Sequence, residues 1–299
     1  LNETGTRTPF IAVWPGVIKP KTTTNAMISW IDIVPTIIDV AGGEVPKSID
    51  GRSFKNVLLR KTDHFRDTVL TFFKGEFNAT VHPARAVRTQ NWKYIYNTHP
   101  EYFYTSFMEG TGSKHNFQNW NEWETGALKD QQSAQNWYDF RVKPKEELYR
   151  VNEDPWEYNN LAFDPRYADT LASLRNIVLE RMKLVNDTVA LSGKPKYLKD
   201  MQSKIPPAIK ILYPNGGEVL KSGNIAIVVW TAEWKGTSTV KLEFYDGKRW
   251  KVVQDNLAHT GSYSWKIPTL KSAKVKLRIS STDGKVWDES NSNFTISKK

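Results

Sequence analysis

The stretch ELYRVNEDPWEYNNLA, from Glu147 to Ala162, decides how the middle of the sequence folds. Its first residues, Glu147-Leu148-Tyr149, predict a short strand, and Asp154-Pro155 predicts a turn. Just beyond it, Asp164-Pro165 predicts a helix start with Asp164 as the N-cap. A helical apolar stripe then runs to about Asn186: Tyr167, Leu171, Leu174, Val178, Met182 and Val185. The sequence therefore predicts a strand followed by a helix that covers a sheet.

Strand patterns that precede this stretch supply the rest of the sheet. Val69 to Phe73 is a β-rich run, and Arg85 to Arg88 leads into Trp92 to Tyr96. In the last run the aromatic side chains share one face while Lys93 and Ile95 share the other, because successive side chains of a strand alternate. The pattern predicts a half-buried strand within an antiparallel sheet.

Residues 100–141 carry many aromatic side chains but little periodicity. The aromatic residues are Tyr102, Phe103, Tyr104, Phe107, Phe117, Trp120, Trp123, Trp137, Tyr138 and Phe140. This density is too apolar for a disordered linker, so we expect a packed insertion. Two interpretations stay open: the rings form sugar-stacking walls, or they pack on one another.

The first 60 residues show an order of elements that is typical of α/β domains. Phe10 to Trp14 predicts a strand that a Pro-Gly turn ends. Ile33 to Val40 predicts a helix with Asp32 as its N-cap, and Gly42-Gly43 ends it. Because so short a segment cannot form such a domain alone, we expect its partner strands to lie before Leu1.

After a lysine-rich connector that ends at Pro206-Pro207, strands alternate with turns. Alternating apolar residues mark three strands: Ile225, Ile227 and Val229, then Val240, Leu242 and Phe244, then Val275, Leu277 and Ile279. Hairpin turn sequences stand between strands: Asn215-Gly216-Gly217, Asp246-Gly247 and Asp283-Gly284. The segment predicts an all-β sandwich.

The tryptophans of this segment allow two interpretations. Trp230, Trp250 and Trp265 are candidates for the core of the sandwich. Alternatively, one or more of these rings, or Trp234 and Trp287, face a sugar. Packing in the core or at its rim is the role we expect for each.

The chain has 299 residues, no cysteine and a formal net charge of +10. Without cysteine, disulfides, Cys-ligated zinc and a Cys nucleophile are excluded. The positive charge is concentrated in residues 206–299, where 15 Lys and Arg accompany 8 Asp and Glu. Such a surface attracts nucleic acid, anionic lipid or a sulfated polysaccharide, or it only maintains solubility. The sign of the charge does not choose among these.

The two ends of the chain and its hydropathy bear on its context. No apolar run approaches the roughly 18 residues that a membrane span needs, so we expect no span. The N-terminus has neither an initiator Met nor the pattern of a signal peptide. We therefore interpret the chain as part of a longer protein.

Several segments resemble, in the same order, those of the sulfatase family. LNETGTRTPFIAVWPG, residues 1–16, is similar to the segment that follows the family's metal-binding motif, and Trp30 to Thr36 is similar to the helix after it. The other matching segments are Ile49-Asp50-Gly51-Arg52-Ser53, Arg85-Ala86-Val87-Arg88-Thr89, Trp92-Lys93-Tyr94-Ile95, Glu147-Leu148-Tyr149, Asp154-Pro155-Trp156-Glu157 and Asn160-Leu161-Ala162. Each segment is short, but their common order makes chance resemblance improbable.

Within that family, the chain most resembles the N-sulfoglucosamine sulfohydrolases, through the Asn97-Thr98-His99-Pro100 run, the aromatic insertion and the helix end at Asn186-Asp187-Thr188. The last segment, with Pro214-Asn215-Gly216-Gly217-Glu218, is similar to an immunoglobulin- or fibronectin-like module. The resemblance implies three domains: the end of an α/β core over residues 1–60, an α+β subdomain of antiparallel sheet with a covering helix over 61–200, and the all-β sandwich over 206–299.

The resemblance also implies a particular chemistry. Sulfatases use a formylglycine, made from Cys or Ser in a C/S-x-P-x-R motif, beside a calcium ion. Here the only Pro-x-Arg is Pro83-Ala84-Arg85, with Val81 in the nucleophile position, and the Asp-Asn-Gly or Asp-His-Gly metal motif is missing. We therefore expect no catalytic residue and no metal ligand in this chain. Calcium and formylglycine are expected in a full-length parent, and no activity is expected from the chain alone.

Five residues are candidates for contact with a substrate: Arg7, His82, Arg85, Arg88 and His99. Arg7 either faces the sulfate or forms an internal ion pair with Glu3 or an upstream acid. Arg85 and Arg88 either bind a uronate or sulfate by bidentate contacts or form salt bridges of the sheet. The two histidines either line the mouth of the pocket or have no role.

The resemblance implies a secreted, periplasmic or cell-surface bacterial sulfatase. Its substrate would be a sulfated polysaccharide or oligosaccharide, with glucosamine N-sulfate of heparan type favoured, and nucleic acid is not expected as a partner. Two alternatives stay open: a glycan-binding or attachment protein without catalysis, and a phosphodiesterase or phosphomutase relative within the alkaline phosphatase superfamily. The oligomeric state and the ligand of the last module are left open.

Overall fold

The structure is a computed structural model that describes residues 2–75, 81–106, 118–127, 129, 131–189, 193–232 and 239–298. Phe107, Phe117 and Trp234 lie outside the described residues. The helices are α1 (Glu3–Thr6), α2 (Ile33–Val40), α3 (Lys55–Leu58), α4 (Gln118–Gly126), α5 (Gln131–Arg141) and α6 (Ala168–Leu184). The strands are β1 (Val69–Phe73), β2 (Ala84–Arg88), β3 (Trp92–Asn97), β4 (Glu146–Arg150), β5 (Lys210–Tyr213), β6 (Val219–Lys221), β7 (Ile225–Thr231), β8 (Thr239–Tyr245), β9 (Trp250–Ala258), β10 (Ser262–Lys266), β11 (Ser272–Ser281), β12 (Trp287–Glu289) and β13 (Phe294–Ser297).

The central sheet is antiparallel in the order β1-β2-β3-β4. Its face toward α6 forms one apolar cluster with that helix: Val87, Tyr94, Leu148, Leu171, Leu174 and Val178. Its other face forms a second cluster: Ala84, Ala86, Ile95, Tyr149 and Val151. The predicted sheet with its covering helix is confirmed. The prediction that β3 is half buried is wrong, because both faces of that strand are covered.

The covering helix begins slightly later than its sequence predicts. Residues 165–167 form a 3₁₀ turn in which the Asp164 carboxylate accepts a hydrogen bond from the Arg166 amide, so Asp164 caps this turn. The α-helix itself starts at Ala168 and ends at Leu184. Val185, the last residue of the predicted stripe, is 45% exposed because it follows the helix end.

The first 60 residues confirm one predicted element and contradict another. Helix α2 has the predicted bounds, although the Asp32 carboxylate binds Arg66 and the amides of Ser29 and Arg52 instead of capping the helix. Residues 10–14 form no strand. Within the described residues no neighbouring strand pairs with them, and a strand needs such a partner for its backbone hydrogen bonds.

The aromatic insertion folds into two helices, α4 and α5, that the sequence did not predict. Rings of both helices pack on one another: Trp120, Trp123, Trp137 and Phe140. The Arg141 guanidinium lies among them, 4.3 Å from the Trp137 ring centroid. This arrangement favours the interpretation in which the rings pack on one another.

Residues 206–232 and 239–298, here called the β5–β13 unit, form two sheets around one hydrophobic core. One sheet has the order β10-β7-β5, and the other has the order β6-β13-β11-β8-β9 with β12 beside β11. Both sheets contribute to the core, which includes Trp230 and Trp265. Trp250 lies outside that core cluster, against Arg278 at 4.0 Å. The assignment of these sheets to an immunoglobulin- or fibronectin-like sandwich stays a prediction.

A helix that crosses a bilayer needs roughly 18 or more mostly apolar residues. No helix of the described residues is both long enough and apolar enough to do so.

Candidate functional site

The loop after β4 brings a carboxylate into the far face of the sheet. Glu157 adopts a φ of 58°, and its Oε1 lies 3.0 Å from the Lys93 ammonium. The Glu3 carboxylate lies 3.4 Å from the same ammonium, and the Glu3 amide donates to Glu157 Oε1 at 3.2 Å. Burial raises the pKa of Glu157, which the charge of Lys93 partly offsets. This cluster ties α1, β3 and the loop together.

Arg7 and Arg88 border one cavity of about 560 Å³ beside this cluster. Arg88 Nε donates to Glu3 Oε1 at 3.1 Å, while Arg7 is exposed. Among the described residues, Glu3 forms ion pairs with Arg88 and Lys93. The alternative in which Arg7 pairs with Glu3 is therefore not adopted. Contact of Arg7 or Arg88 with a substrate stays a prediction.

Arg85 lies on the opposite face of the sheet from Arg88, because residues three apart on a strand point in opposite directions. Its guanidinium is 1% exposed and forms a bidentate pair with the Asp187 carboxylate, with Nη2 2.8 Å from Oδ1. Its Nη1 donates to the carbonyls of Phe73 and Ala84, at 2.9 Å each. One small anion cannot therefore contact Arg85 and Arg88 together. The pair with Asp187 corresponds to the salt-bridge alternative.

His82 borders a small cavity of about 140 Å³. The residue is only 2% exposed, and its ring stands edge to face with Tyr104, with 5.6 Å between centroids. Within the described residues, no hydrogen-bond partner meets His82 Nε2. Burial, reinforced by the positive charge of Lys143, lowers the pKa of His82 to about 4. The imidazole that borders the cavity is therefore neutral, and its Nε2 has no partner among the described residues.

A hydrogen-bonded carboxylate forms another wall of this cavity. Glu147 Oε1 accepts from the Asn97 amide at 2.6 Å, and Oε2 accepts from the Tyr149 hydroxyl at 2.5 Å. Burial raises the pKa of Tyr149, and the adjacent Glu147 charge raises it further. The phenol therefore remains a donor, and Glu147 is held in one orientation.

His99 lies apart from His82. Its ring stacks on Tyr102 with 4.5 Å between centroids, and its Nδ1 lies 2.8 Å from Glu101 Oε1. The residues that border the His82 cavity do not include His99. A role for His99 in substrate binding stays a prediction.

A larger groove of about 940 Å³ adjoins the His82 cavity, since Asn2, Phe140, Lys143 and Glu147 border both. The loop after β4 contributes Trp156 and Tyr158 to the groove, and the β5–β13 unit contributes Lys210, Trp230 and His259. The groove thus lies between the central sheet and the β-rich unit, with aromatic and polar side chains on its walls.

The described residues form no cluster of side chains that could hold a metal ion. Over the parts of the chain that the structure describes, no group of three His, Cys, Asp or Glu side chains comes together. Calcium, which needs six to eight oxygen ligands, has no candidate site there. Placement of calcium and formylglycine in a full-length parent therefore stays a proposal.

Sequence reasoning missed the roles of Lys93, Glu157 and Glu147. A lysine inside an otherwise apolar strand was the available signal, because a buried lysine requires an acidic partner. The partners lie far along the chain, so the sequence could not identify them.

Residues 1–110 match the family model described as "N-sulphoglucosamine sulphohydrolase, C-terminal". An ulvan-active sulfatase of Formosa agariphila is 30% identical over 192 residues, which cover 64% of this chain and 36% of the relative. A Delta 4,5-hexuronate-2-O-sulfatase of Bacteroides thetaiotaomicron is 27% identical over 58% of this chain and 28% of its own. The chain spans about a third of the length of these curated relatives.

Among solved structures, a 2-O GAG sulfatase is 22% identical, and the match covers 58% of this chain and 28% of that chain with a TM-score of 0.37. A score this low supports no further conclusion. The order of short segments along the sequence resembles that of sulfatases. The family model that matches residues 1–110 and the sulfatase relatives agree with this resemblance. Residues 1–110 are therefore similar to the C-terminal domain of N-sulphoglucosamine sulphohydrolase, and the relatives that match a longer part of the chain are sulfatases.

Proposed function

We propose that this chain is the C-terminal part of a sulfatase that removes sulfate from a sulfated glycan, with glucosamine N-sulfate of heparan type as the favoured substrate. The observation that carries the proposal is the match of residues 1–110 to the C-terminal region of N-sulphoglucosamine sulphohydrolase. The relatives, named for ulvan and for a hexuronate 2-O-sulfate, support the broader class of sulfated sugars.

In this proposal the chemistry takes place in a catalytic domain that this chain adjoins. A calcium ion and a formylglycine there would supply the nucleophile and stabilise the charge of the sulfate oxygens. The present chain would contribute the wall of the substrate pocket through His82, whose Nε2 has no hydrogen-bond partner among the described residues and so suits a hydrogen bond with a sugar hydroxyl. A secreted, periplasmic or cell-surface location in a bacterium follows from the same proposal.

Exposed apolar side chains in the first 40 residues support contact with another domain. Ile11 is 87% exposed, Val13 83%, Trp30 73% and Ile37 62%. Exposed apolar groups gathered in one segment are typical of an interaction surface. We propose that the α/β catalytic domain covers them.

Two assays on glucosamine N-sulfate and an aryl sulfate, both with calcium, test the proposal. The expressed chain should show no turnover, whereas the longer protein that contains it should release sulfate. Sulfate release by residues 1–299 alone would refute the inactivity of the chain. A longer protein that hydrolyses a phosphodiester but neither sulfate would instead favour the phosphodiesterase alternative.

A second function, glycan binding without catalysis, is favoured by the positive charge of residues 206–299, which contain 15 basic and 8 acidic residues. Heparin chromatography of the whole chain tests it. Elution at low salt, together with turnover by the longer protein, would remove this alternative.

A further inference from the structure

The loop after β4 presents two large aromatic side chains to solvent. Trp156 is 66% exposed and Tyr158 is 71% exposed, whereas Glu157 between them is 7% exposed. The positive φ of Glu157 turns its carboxylate inward to Lys93. The two rings therefore flank an anchor residue and both line the 940 Å³ groove.

Hydrogen bonds from backbone amides to two side chains hold this loop in one conformation. The Asp154 carboxylate accepts from the amides of Tyr158 and Asn159, at 3.0 and 2.8 Å. The Asn160 side chain accepts from the amides of Leu148 and Ala162, at 2.9 and 3.0 Å. Rings on a fixed loop lose little conformational entropy when a ligand stacks on them.

The groove combines features that suit a carbohydrate. A sugar ring offers an apolar face of C–H groups, which packs on an aromatic ring, and an edge of hydroxyls, which needs polar partners. Trp156 and Tyr158 supply rings, while Asn2, Asn136 and Lys143 supply polar groups on the same groove. Isolated exposed aromatic residues are common, but two on one rigid loop at a groove are typical of a binding surface.

The groove also continues into the proposed substrate pocket. Asn2, Lys143 and Glu147 border both the groove and the His82 cavity. A chain of sugar units that enters the His82 cavity would therefore extend along the groove toward the loop after β4. We infer that Trp156 and Tyr158 form a stacking subsite for sugar units of an oligosaccharide next to the unit held at the His82 cavity.

This inference rests on the proposed function, which supplies the class of ligand. It goes further because it assigns a role to the exposed rings and to the boundary with the β5–β13 unit. That boundary is held by Lys210, whose ammonium lies 2.6 Å from Asp139 Oδ2, and by Arg166, whose Nη1 donates to the Gly217 carbonyl at 2.9 Å.

Calorimetric titration of the whole chain with a heparin hexasaccharide tests the inference. Trp156→Ala and Tyr158→Ala should each weaken binding by about tenfold, a size typical of a lost stacking contact. Trp156→Phe, which keeps a ring, should bind nearly as tightly as the unaltered chain. The matched control is Trp30→Ala, because Trp30 is 73% exposed and does not border the groove; its affinity should not change.

Three results would overturn the inference. Affinities of the two alanine variants equal to that of the unaltered chain would show that the rings do not contact the ligand. Failure of the unaltered chain to bind the hexasaccharide would show that the groove does not bind this class of ligand. A dimer that Trp156→Ala dissociates would assign the rings to a second copy of this chain. Sulfate release by the longer protein judges the proposed function separately, since that assay does not depend on Trp156 or Tyr158 being in contact with sugar.

Discussion

The Lys93 ammonium and the Glu157 carboxylate lie 3.0 Å apart, and each side chain is only 1% exposed. The pair joins β3 to the loop that presents Trp156 and Tyr158. Because an isolated buried charge is costly, each residue fixes the other in place. The position of the exposed rings thus depends on an ion pair in the interior.

Replacement of Lys93 by Met should strongly destabilise the sheet. It leaves the Glu157 carboxylate buried without its cation, at a cost of about 3 to 5 kcal/mol. The cost should shrink at low pH, since burial already raises the pKa of Glu157 and the neutral acid needs no cation. Urea unfolding at pH 8 and pH 5, followed by hydrogen exchange of the β2–β4 amides, measures both effects.

An exposed ion pair provides the control for this prediction. Lys55 and Asp39 lie 3.0 Å apart with side chains 30% and 38% exposed, so Lys55→Met should cost less than about 1 kcal/mol. The double variant Lys93→Met/Glu157→Gln should regain part of the loss. Equal costs for the two lysine variants would contradict the assignment of a buried pair.

His82 should make the stability of the chain fall on mild acidification. Its pKa is about 4 in the folded protein and 6.5 in an ordinary environment, so the unfolded chain takes up the proton first as the pH drops. The full contribution of a neutral His82 to the free energy of unfolding is therefore present above about pH 6.5. It decreases by roughly 3 kcal/mol as the pH falls to 4. Urea midpoints measured across that range should lose this slope in His82→Gln.

The matched control for His82 is His64→Gln, because the His64 side chain is 67% exposed. It should leave the slope unchanged. A His82→Gln variant with the same pH dependence as the unaltered chain would show that His82 does not account for the effect.

Local patterns predicted the central sheet, its covering helix and α2, because apolar periodicity and capping signals act within a few residues. Helices α4 and α5 were missed, since Trp120 and Trp123, like Trp137 and Phe140, stand three residues apart, but each pair alone is too short a stripe to predict a helix. Residues 10–14 have the composition of a strand but lack a partner among the described residues. Composition alone does not supply the pairing that defines a strand.

The candidate site was predicted only in part, for a related reason. His82 was identified as a candidate, and the structure places it at a cavity with an Nε2 that has no partner in the part of the chain it describes. Arg85 and Arg88 were grouped by their spacing, yet the alternation of the strand separates them. Glu3 and Glu157 are far from Lys93 in sequence, so their meeting depends on tertiary structure that no local pattern encodes.

Gly51 should not tolerate a side chain. A Cβ at this position would lie 1.8 Å from the Ile31 carbonyl oxygen. Gly51→Ala must therefore move the loop that contains residue 51 away from Ile31, which lies in the turn before α2. We expect a loss of about 1 to 3 kcal/mol, as for other overpacked sites, and faster exchange of the Arg52 amide, which donates to Asp32 Oδ1 at 2.9 Å. Gly5→Ala is the control, because its Cβ would meet nothing within 4 Å; comparable destabilisation of both variants would exclude the close contact as the cause.

Asp288 should reduce the stability of the β5–β13 unit at neutral pH. Burial raises its pKa to about 6, above the ordinary value of 3.8, so the folded protein holds the proton more tightly, and stability is lost as the pH rises through 6. Its Oδ2 accepts from the Ile211 amide at 2.8 Å, a bond that an Asn oxygen can keep. Asp288→Asn should therefore stabilise the unit by about 2 kcal/mol at pH 8 and by almost nothing at pH 4, as measured by thermal and urea unfolding at both values. The control is Asp283→Asn, at an exposed turn, which should produce no gain in stability at pH 8. A gain equal to that of Asp288→Asn would show that the net charge of the unit, and not the burial of Asp288, causes the effect.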